Sequence, residues 1–285
     1  TITGGGGADV LGGAAGNDLF YYTATTDLFA SNVIADAITG GAGTDSIVIN
    51  NNGGATFTIT SSDDFTSGTR DIATVESITA AATDNIISIT THNDAFTDGI
   101  VTIDLSGDTD ATGANVIDVS NDDGSEAWTL TGSAGADTIT GDGGIDTITG
   151  GGGIDTITGA AGADVIDGGA GNDIFKYSTT ALLVDSNALV DSLTGGAGTD
   201  TIQLTAAADT TLTLASTDLI EARMATMESI TAGVSAGVLS ITASAALGTD
   251  GVLTIDLSGD TSATGANIID VSNDDGSEAW TLTGS

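Results

Sequence analysis

The chain has 285 residues, with 40 acidic side chains against three Lys or Arg, one His, no Cys and no Pro, and a formal net charge of -37. All but five of the acids are Asp, the shorter carboxylate, which suits loops and metal sites better than helices. Three basic residues cannot neutralise a run of phosphates, so nucleic acid and anionic membranes are excluded as direct partners. Without Cys there is no disulfide framework or thiolate metal site, and no apolar run is long enough for a transmembrane helix.

Residues 1–48 are predicted to form a first roll of stacked strands. They carry the pattern Gly-x-x-Gly-x-Asp-x-apolar-x, with Asp9 two residues before Leu11 and Asp18 two residues before Phe20. Six residues rich in Gly can form a tight turn, and the next three can form a short strand with its middle side chain inward. Two such nonapeptides would close one coil of 18 residues. Asp36 and Asp45 continue the period after an interruption, because Asp18 and Asp36 are 18 residues apart.

Residues 49–131 are predicted to be rich in β-strands. Short runs of β-branched and apolar residues, such as Ile86-Ile-Ser-Ile89 and Val116-Ile-Asp-Val119, are bounded by Gly, Asn or Asp. These strands could continue the stack as a looser solenoid or form a compact β-domain between rolls, and we favour the stack. Short helical pieces are expected within 62–71, and within 216–227 further along the chain.

Residues 132–203 are predicted to form the second roll. The nonapeptide occurs five times without a slip between Gly132 and Lys176, and Asp191 and Asp200 continue it. Successive coils of a parallel stack lie about 4.8 Å apart. The period therefore places Asp137 above Asp155 and Asp146 above Asp164.

Residues 204–285 repeat the segment 49–131. Residues 102–108 recur as 254–260 and residues 119–133 as 271–285, both shifted by 152. The chain is thus two copies of one unit. Because it starts without a Met and ends where the first copy enters its next nonapeptide, we expect it to be a section of a longer protein.

The stacked carboxylates predict a metal. Two carboxylates at that spacing would repel by about 3 kcal/mol at an effective dielectric constant near 20. Ca²⁺ takes six to eight oxygen ligands, which Asp carboxylates and glycine carbonyls can supply, whereas Mg²⁺ demands a tighter octahedron and Zn²⁺ prefers His and Cys. The alternative is that each carboxylate caps its own turn, which applies most to Asp36 and Asp191 because no glycines precede them. The candidate calcium ligands are Asp9, Asp18, Asp36, Asp45, Asp137, Asp146, Asp155, Asp164, Asp173, Asp191 and Asp200.

The segments Gly150-Gly-Gly-Gly-Ile-Asp-Thr-Ile-Thr158 and Gly168-Gly-Ala-Gly-Asn-Asp-Ile-Phe-Lys176 resemble the repeats of the RTX family, G-G-x-G-x-D-x-U-x. The likeness is looser where Ser133, Asp142, Ala160 and Ala14 replace the second glycine. The resemblance implies an all-β fold of right-handed parallel β-rolls, a β-solenoid in tandem with interleaved strand segments, that binds several calcium ions.

Catalysis is not expected. The lone His92 has no counterpart in the second copy, and a Ser-His-Asp triad would have to rest on it. The acidic turn at 121–126, repeated at 273–278, lacks the alternating ligands of an EF-hand. It is read as a solvated turn, with a peripheral calcium site as the alternative. Trp128 and Trp280 are expected to be core anchors rather than platforms for sugars.

The composition and the resemblance together indicate a calcium-dependent structural protein. The RTX family implies export by type I secretion to the bacterial cell surface, outside the cell, and self-assembly into a surface layer or filament. The alternative is the stalk or a ligand-binding segment of a giant RTX adhesin. Its ligand would be a cell-surface polysaccharide or, through outward Thr columns such as Thr138 and Thr140, ice. Without calcium, this charge and glycine content predict a largely disordered chain.

Overall fold

The structure is a computed structural model. It describes the chain except for residues 31–32, 51–56, 61–65, 68–69, 82–85, 92–98, 122–123, 125, 186–187, 206–209, 215–223, 234–238, 245–253, 261–266, 274–278 and 285.

Strands and the turns between them make up most of the described chain, and its two helices are single turns. The helices are α1 (Thr25–Leu28) and α2 (Thr180–Leu183). The strands of the first part are β1 (Val10–Ala15), β2 (Leu19–Tyr22), β3 (Phe29–Ala30), β4 (Val33–Ile34), β5 (Ala37–Ala42), β6 (Ser46–Ile49), β7 (Phe57–Ile59), β8 (Thr66–Ser67), β9 (Arg70–Ala73), β10 (Ser77–Ala80), β11 (Ile87–Thr90), β12 (Thr102–Asp104), β13 (Val116–Asp118) and β14 (Thr129–Thr131). Those of the second part are β15 (Thr138–Thr140), β16 (Thr147–Gly152), β17 (Thr156–Thr158), β18 (Val165–Ala170), β19 (Ile174–Tyr177), β20 (Val184–Asp185), β21 (Ala188–Leu189), β22 (Ser192–Ala197), β23 (Thr201–Leu204), β24 (Thr210–Leu214), β25 (Met224–Ala225), β26 (Ser229–Ala232), β27 (Leu239–Ser244), β28 (Thr254–Asp256), β29 (Ile268–Asn273) and β30 (Thr281–Thr283).

Two long parallel sheets run through the molecule. Sheet I has nine strands in the order β2-β6-β10-β12-β14-β16-β18-β22-β25. Sheet II has ten strands in the order β30-β28-β26-β23-β19-β17-β15-β13-β11-β7. Separate, smaller sheets contain the parallel strands β1-β5-β9 and β24-β27-β29. The chain passes from sheet I to sheet II and back, and each return adds one coil, so the fold is the parallel β-solenoid that the nine-residue period predicts.

The core is one continuous column of side chains between the sheets. Ile139 stacks on Ile157 in sheet II, and Ile148 stacks on Ile166 in sheet I. All four are at most 2 % exposed, because the middle residue of each three-residue strand points inward while its Thr neighbours point outward. Burial of each such side chain contributes about 1.5–3 kcal/mol.

The stack continues through the segments that separate the rolls. In sheet I, β14 of the first copy pairs in parallel with β16 of the second roll, with Leu130 opposite Ile148. The expected looser solenoid, rather than a compact domain between rolls, is therefore what the described strands form. The division of the chain at 1–48, 49–131, 132–203 and 204–285 stays a prediction.

The two copies enter the sheets differently. Strand β14 belongs to sheet I, but β30, which has the same sequence 152 residues later, belongs to sheet II. In the same way β2, β6, β10 and β12 lie in sheet I, whereas their counterparts β19, β23, β26 and β28 lie in sheet II. One copy therefore contains an odd number of half-coils.

One local expectation was wrong, and a second falls mostly outside the described residues. The interruption after Asp18 does not span one 18-residue coil, because Asp18 stacks on Asp45, 27 residues away. The extra nine residues form α1 and the antiparallel pair β3–β4, and in the second copy α2 and β20–β21. The described parts of 62–71 and 216–227 contain strands β8, β9 and β25 instead of helix. Among the described residues, no helix has the length and apolar character needed to cross a membrane.

Candidate metal centre

The predicted aspartates form ladders along the solenoid. Each one follows a turn and precedes a strand, so stacking of the coils brings those of neighbouring coils together. The backbone N–H of Asp137 donates to Asp155 Oδ1 at 2.7 Å, and the N–H of Asp155 donates to Asp173 Oδ1 at 2.8 Å. The remaining rungs join Asp146 to Asp164, Asp164 to Asp191, Asp173 to Asp200, Asp9 to Asp36 and Asp18 to Asp45, at 2.7 to 2.9 Å.

These rungs settle how one carboxylate oxygen is satisfied. It accepts a hydrogen bond from the backbone of the neighbouring coil, not from its own turn. Such charge-assisted bonds contribute about 1.5–3 kcal/mol each. Carboxylates that cap their own turn do occur elsewhere, as at Asp104 and Asp118, which accept the N–H of Ser106 and Ser120.

Two glutamates end the ladders, and sequence analysis missed both. The N–H of Asp45 donates to Glu76 Oε2 at 2.7 Å, and the N–H of Asp200 donates to Glu228 Oε2 at 2.6 Å. Neither glutamate lies in a nonapeptide. The available signal was their equivalent position in the two copies, directly before the strand sequence Ser-Ile-Thr.

In some of the turns, the second carboxylate oxygen of the Asp has no hydrogen-bond partner. This oxygen, Oδ2, is buried without a hydrogen-bond partner at Asp45, Asp155, Asp164, Asp173 and Asp200. A buried charged oxygen without a partner is costly unless a positive group compensates it.

A backbone carbonyl faces the same space as this oxygen. A methyl group on Gly168 would lie 2.5 Å from Asp173 Oδ2 and 2.6 Å from the carbonyl oxygen of Gly195, one coil further on. The carboxylate and the carbonyl thus converge above a glycine that leaves room for both. Carboxylate and carbonyl oxygens are the ligands of hard cations such as Ca²⁺, so these residues fit calcium.

Burial strongly perturbs these acids. It raises the pKa of Asp155 to about 7 and that of Asp164 to about 8, although backbone hydrogen bonds act in the opposite direction. Burial also raises the pKa of Asp146 to about 6, and those of Asp137, Asp173 and Asp200 are raised for the same reason. A cation beside these groups would favour their ionised form.

Side chains alone do not make a metal site here. In the part of the chain that the structure describes, no group of three or more His, Cys, Asp or Glu could hold a metal ion. A cation in the rolls would therefore take most of its ligands from backbone carbonyls, with Asp45, Asp155, Asp164, Asp173 and Asp200 as the acidic contribution. This donor set suits Ca²⁺ better than Zn²⁺.

Other predicted residues have different surroundings. Asp36 and Asp191 each accept the hydroxyl of a buried tyrosine, at 2.9 Å from Tyr22 and 2.7 Å from Tyr177. Asp9 and Asp18 are half-buried. Trp128 is 1 % exposed in the core, as expected, and Trp280 packs against the core while partly buried. His92 and half of the turn at 121–126 lie outside the described residues.

The fold and these ladders define a class of protein: an acidic parallel β-solenoid whose turns carry stacked, buried carboxylates. The family model of the RTX calcium-binding nonapeptide repeat matches four segments, residues 1–21, 129–153, 140–175 and 187–215. The β-rolls of this chain belong to the RTX family. No curated protein and no solved structure matches the chain.

Proposed function

We propose that the chain is a calcium-dependent structural protein of the bacterial cell surface whose stacked copies self-assemble into a layer or filament. The observation that carries the proposal is the joint between the two copies. There strand β14 of the first copy pairs in parallel with β16 of the second, and the N–H of Thr147 donates to the carbonyl of Trp128. These are the same bonds that join coils within a copy, so a further copy can be added without a new kind of contact.

Calcium dependence is supported by the RTX repeats and by the buried carboxylates. A net charge of -37 opposes compaction, and the unpartnered oxygens of the ladder add to this cost. Calcium would relieve both and bind only the folded turns, so that binding free energy becomes folding free energy. RTX repeats are typical of secreted proteins, which supports a location outside the cell.

The test is a titration of the purified chain with Ca²⁺, with Mg²⁺ as the control. Circular dichroism reports folding, while light scattering and electron microscopy report assembly. The proposal expects Ca²⁺, and not Mg²⁺, to convert coil to β-structure and to produce ordered fibres or sheets. A chain that is fully folded in chelator would contradict the calcium part, and a calcium-loaded monomer would contradict self-assembly.

The threonine rows favour a second candidate, the stalk or ligand-binding segment of an adhesin. In sheet I, Thr129 and Thr131 stand opposite Thr147 and Thr149. In sheet II, Thr138 and Thr140 stand in the same way opposite Thr156 and Thr158. These outward rows offer regularly spaced hydroxyls to a polysaccharide or to ice. A glycan array and a thermal-hysteresis measurement on the calcium-loaded monomer test the two ligands, and negative results in both would remove this candidate.

The proposal gives the chain no catalytic role. The ladder carboxylates are held by backbone N–H groups, and the sequence has one His and no Cys to serve as a nucleophile or base.

A further inference from the structure

The turns of the rolls differ at their second residue. In seven turns this residue is Gly or Ala with a left-handed backbone: Gly5, Ala14, Gly41, Gly151, Ala160, Gly169 and Gly196 have φ between 71° and 112°. Ser133 and Asp142 occupy the same position, but neither has a positive φ. Five of these seven turns end in an Asp whose Oδ2 is buried without a partner, whereas Asp9 and Asp18, which end the other two, are only half-buried.

In the turn of Ser133, protein groups donate hydrogen bonds to the Oδ2 of its Asp, Asp137. The N–H of Ser133 donates to Asp137 Oδ2 at 2.5 Å, and its hydroxyl lies 2.9 Å from the same oxygen and 3.1 Å from Oδ1. The hydroxyl also accepts the N–H of Gly135 at 3.1 Å, which leaves its proton for the carboxylate. Asp137, with one more bond from the N–H of Asn115, is fully satisfied by protein donors.

A tyrosine has the same effect at two other positions. The hydroxyls of Tyr22 and Tyr177 donate to Oδ2 of Asp36 and Asp191, and both aspartates are at most 1 % exposed. Each tyrosine lies two residues after a buried phenylalanine, in β2 or β19, the strands that precede the inserted helix and hairpin. The turn that follows each insertion is therefore closed by a side-chain hydroxyl.

A hydrogen-bond donor and a cation compete for one carboxylate oxygen. The proton of the N–H or O–H occupies the direction in which a cation would bind that oxygen. Ca²⁺ would have to break these bonds in a buried turn and leave the donors without partners.

We propose that Ser133, Tyr22 and Tyr177 replace calcium at the turns of Asp137, Asp36 and Asp191. The calcium-binding acids are then the five with an unpartnered oxygen, Asp45, Asp155, Asp164, Asp173 and Asp200. The turn of Asp146 is left out of the proposal. It accepts the N–H of Asp142 at 3.1 Å, but Asp142 brings a buried carboxylate oxygen without a partner of its own.

The inference rests on the proposed calcium binding, and a matched pair of variants tests it. Asp137 and Asp155 are successive members of one ladder, and each accepts a backbone N–H through Oδ1. Asn keeps that acceptor and removes the charge. We expect Asp155→Asn to bind fewer calcium ions than the unaltered chain in equilibrium dialysis with metal analysis, or to weaken a site at least about tenfold. Asp137→Asn should keep the full number of ions at unchanged affinity.

A third variant covers the case in which Asp155→Asn does not fold. Ser133→Gly removes the hydroxyl and allows the left-handed backbone of the other turns, so it should bind more calcium than the unaltered chain. Loss of an ion from Asp137→Asn, or an unchanged ion number in Ser133→Gly, would overturn the inference while leaving calcium binding intact. An unaltered chain that binds no calcium would instead refute the proposed function, and the inference with it.

Discussion

Substitution of Gly168 by Ala tests whether the glycines of the turns are needed for close packing between coils. Gly168 is a buried residue of β18, and an added methyl group would meet Asp173 Oδ2 at 2.5 Å and the Gly195 carbonyl oxygen at 2.6 Å. Ordinary contacts with such a carbon begin at 3.4 Å, so each oxygen would have to move by nearly 1 Å. Neither is free to do so, because Asp173 Oδ1 accepts the N–H of Asp155 and the coil of Gly195 is held in parallel register with β18.

The expected loss follows from these distances. Overpacking of this kind costs about 1–3 kcal/mol, and the reduced freedom of the unfolded chain returns about 0.4–1 kcal/mol. The net destabilisation is about 1–2 kcal/mol. For a chain of this length, each kcal/mol lowers Tm by about 2–4 °C, which predicts a decrease of several degrees.

The assay is thermal unfolding in saturating Ca²⁺, followed by circular dichroism. Gly12→Ala is the matched control, because Gly12 also lies in a roll strand but a methyl group there would have nothing within 4 Å. Its Tm should stay the same or rise slightly. Equal Tm values for Gly168→Ala and Gly12→Ala would refute the packing argument.

Three further predictions concern pH, the tyrosines and the core. Burial raises the pKa of Asp155 to about 7 and of Asp164 to about 8, against about 3.9 in an unfolded chain. Between these values the folded chain binds more protons than the unfolded chain, so in chelator any residual β-structure should decrease from pH 4 to pH 8. Calcium affinity should rise over the same range, because the ligand is the ionised carboxylate. Circular dichroism in chelator and calcium titrations, each at pH 5 and pH 8, should show these opposite trends, and parallel trends would contradict the prediction. Tyr22→Phe removes the bond to buried Asp36 and should cost about 1–3 kcal/mol, measured by urea denaturation beside Tyr21→Phe, whose half-buried side chain should cost much less. Ile157→Ala, at 1 % exposure, should cost about 2–5 kcal/mol, while Ile154→Ala, at 56 % exposure, should stay within about 0.5 kcal/mol; similar unfolding midpoints for the two would show that the inward column is not the core.

The nine-residue period was sufficient to predict the rolls. It fixes which residue of each strand points inward, so Ile139, Ile148 and Ile157 could be assigned to the core before the structure was known. It also fixes the stacking of Asp137 on Asp155, because the coil length and the strand spacing leave one register. Their role as calcium ligands stays a prediction.

The features that sequence analysis missed lie outside the period. The helix and hairpin after Tyr22 and Tyr177 lengthen a coil to 27 residues, and a gap of two nonapeptides between Asp18 and Asp36 concealed this. Glu76 has no preceding glycines, so only the register of the intervening strands shows that it continues the ladder. The closure of the Asp137 turn depends on the sign of φ at the single residue Ser133, which a repeat pattern does not specify.

The exchange of sheets between the copies has a geometric consequence. Because a copy contains an odd number of half-coils, the operation that carries one copy onto the next is a screw with about a half turn. The insertion that begins with α1 leaves the solenoid after β2 of sheet I, and the insertion that begins with α2 leaves it after β19 of sheet II. The two insertions therefore project from opposite sides, and a flat surface lying along the solenoid would meet equivalent features only at every second copy.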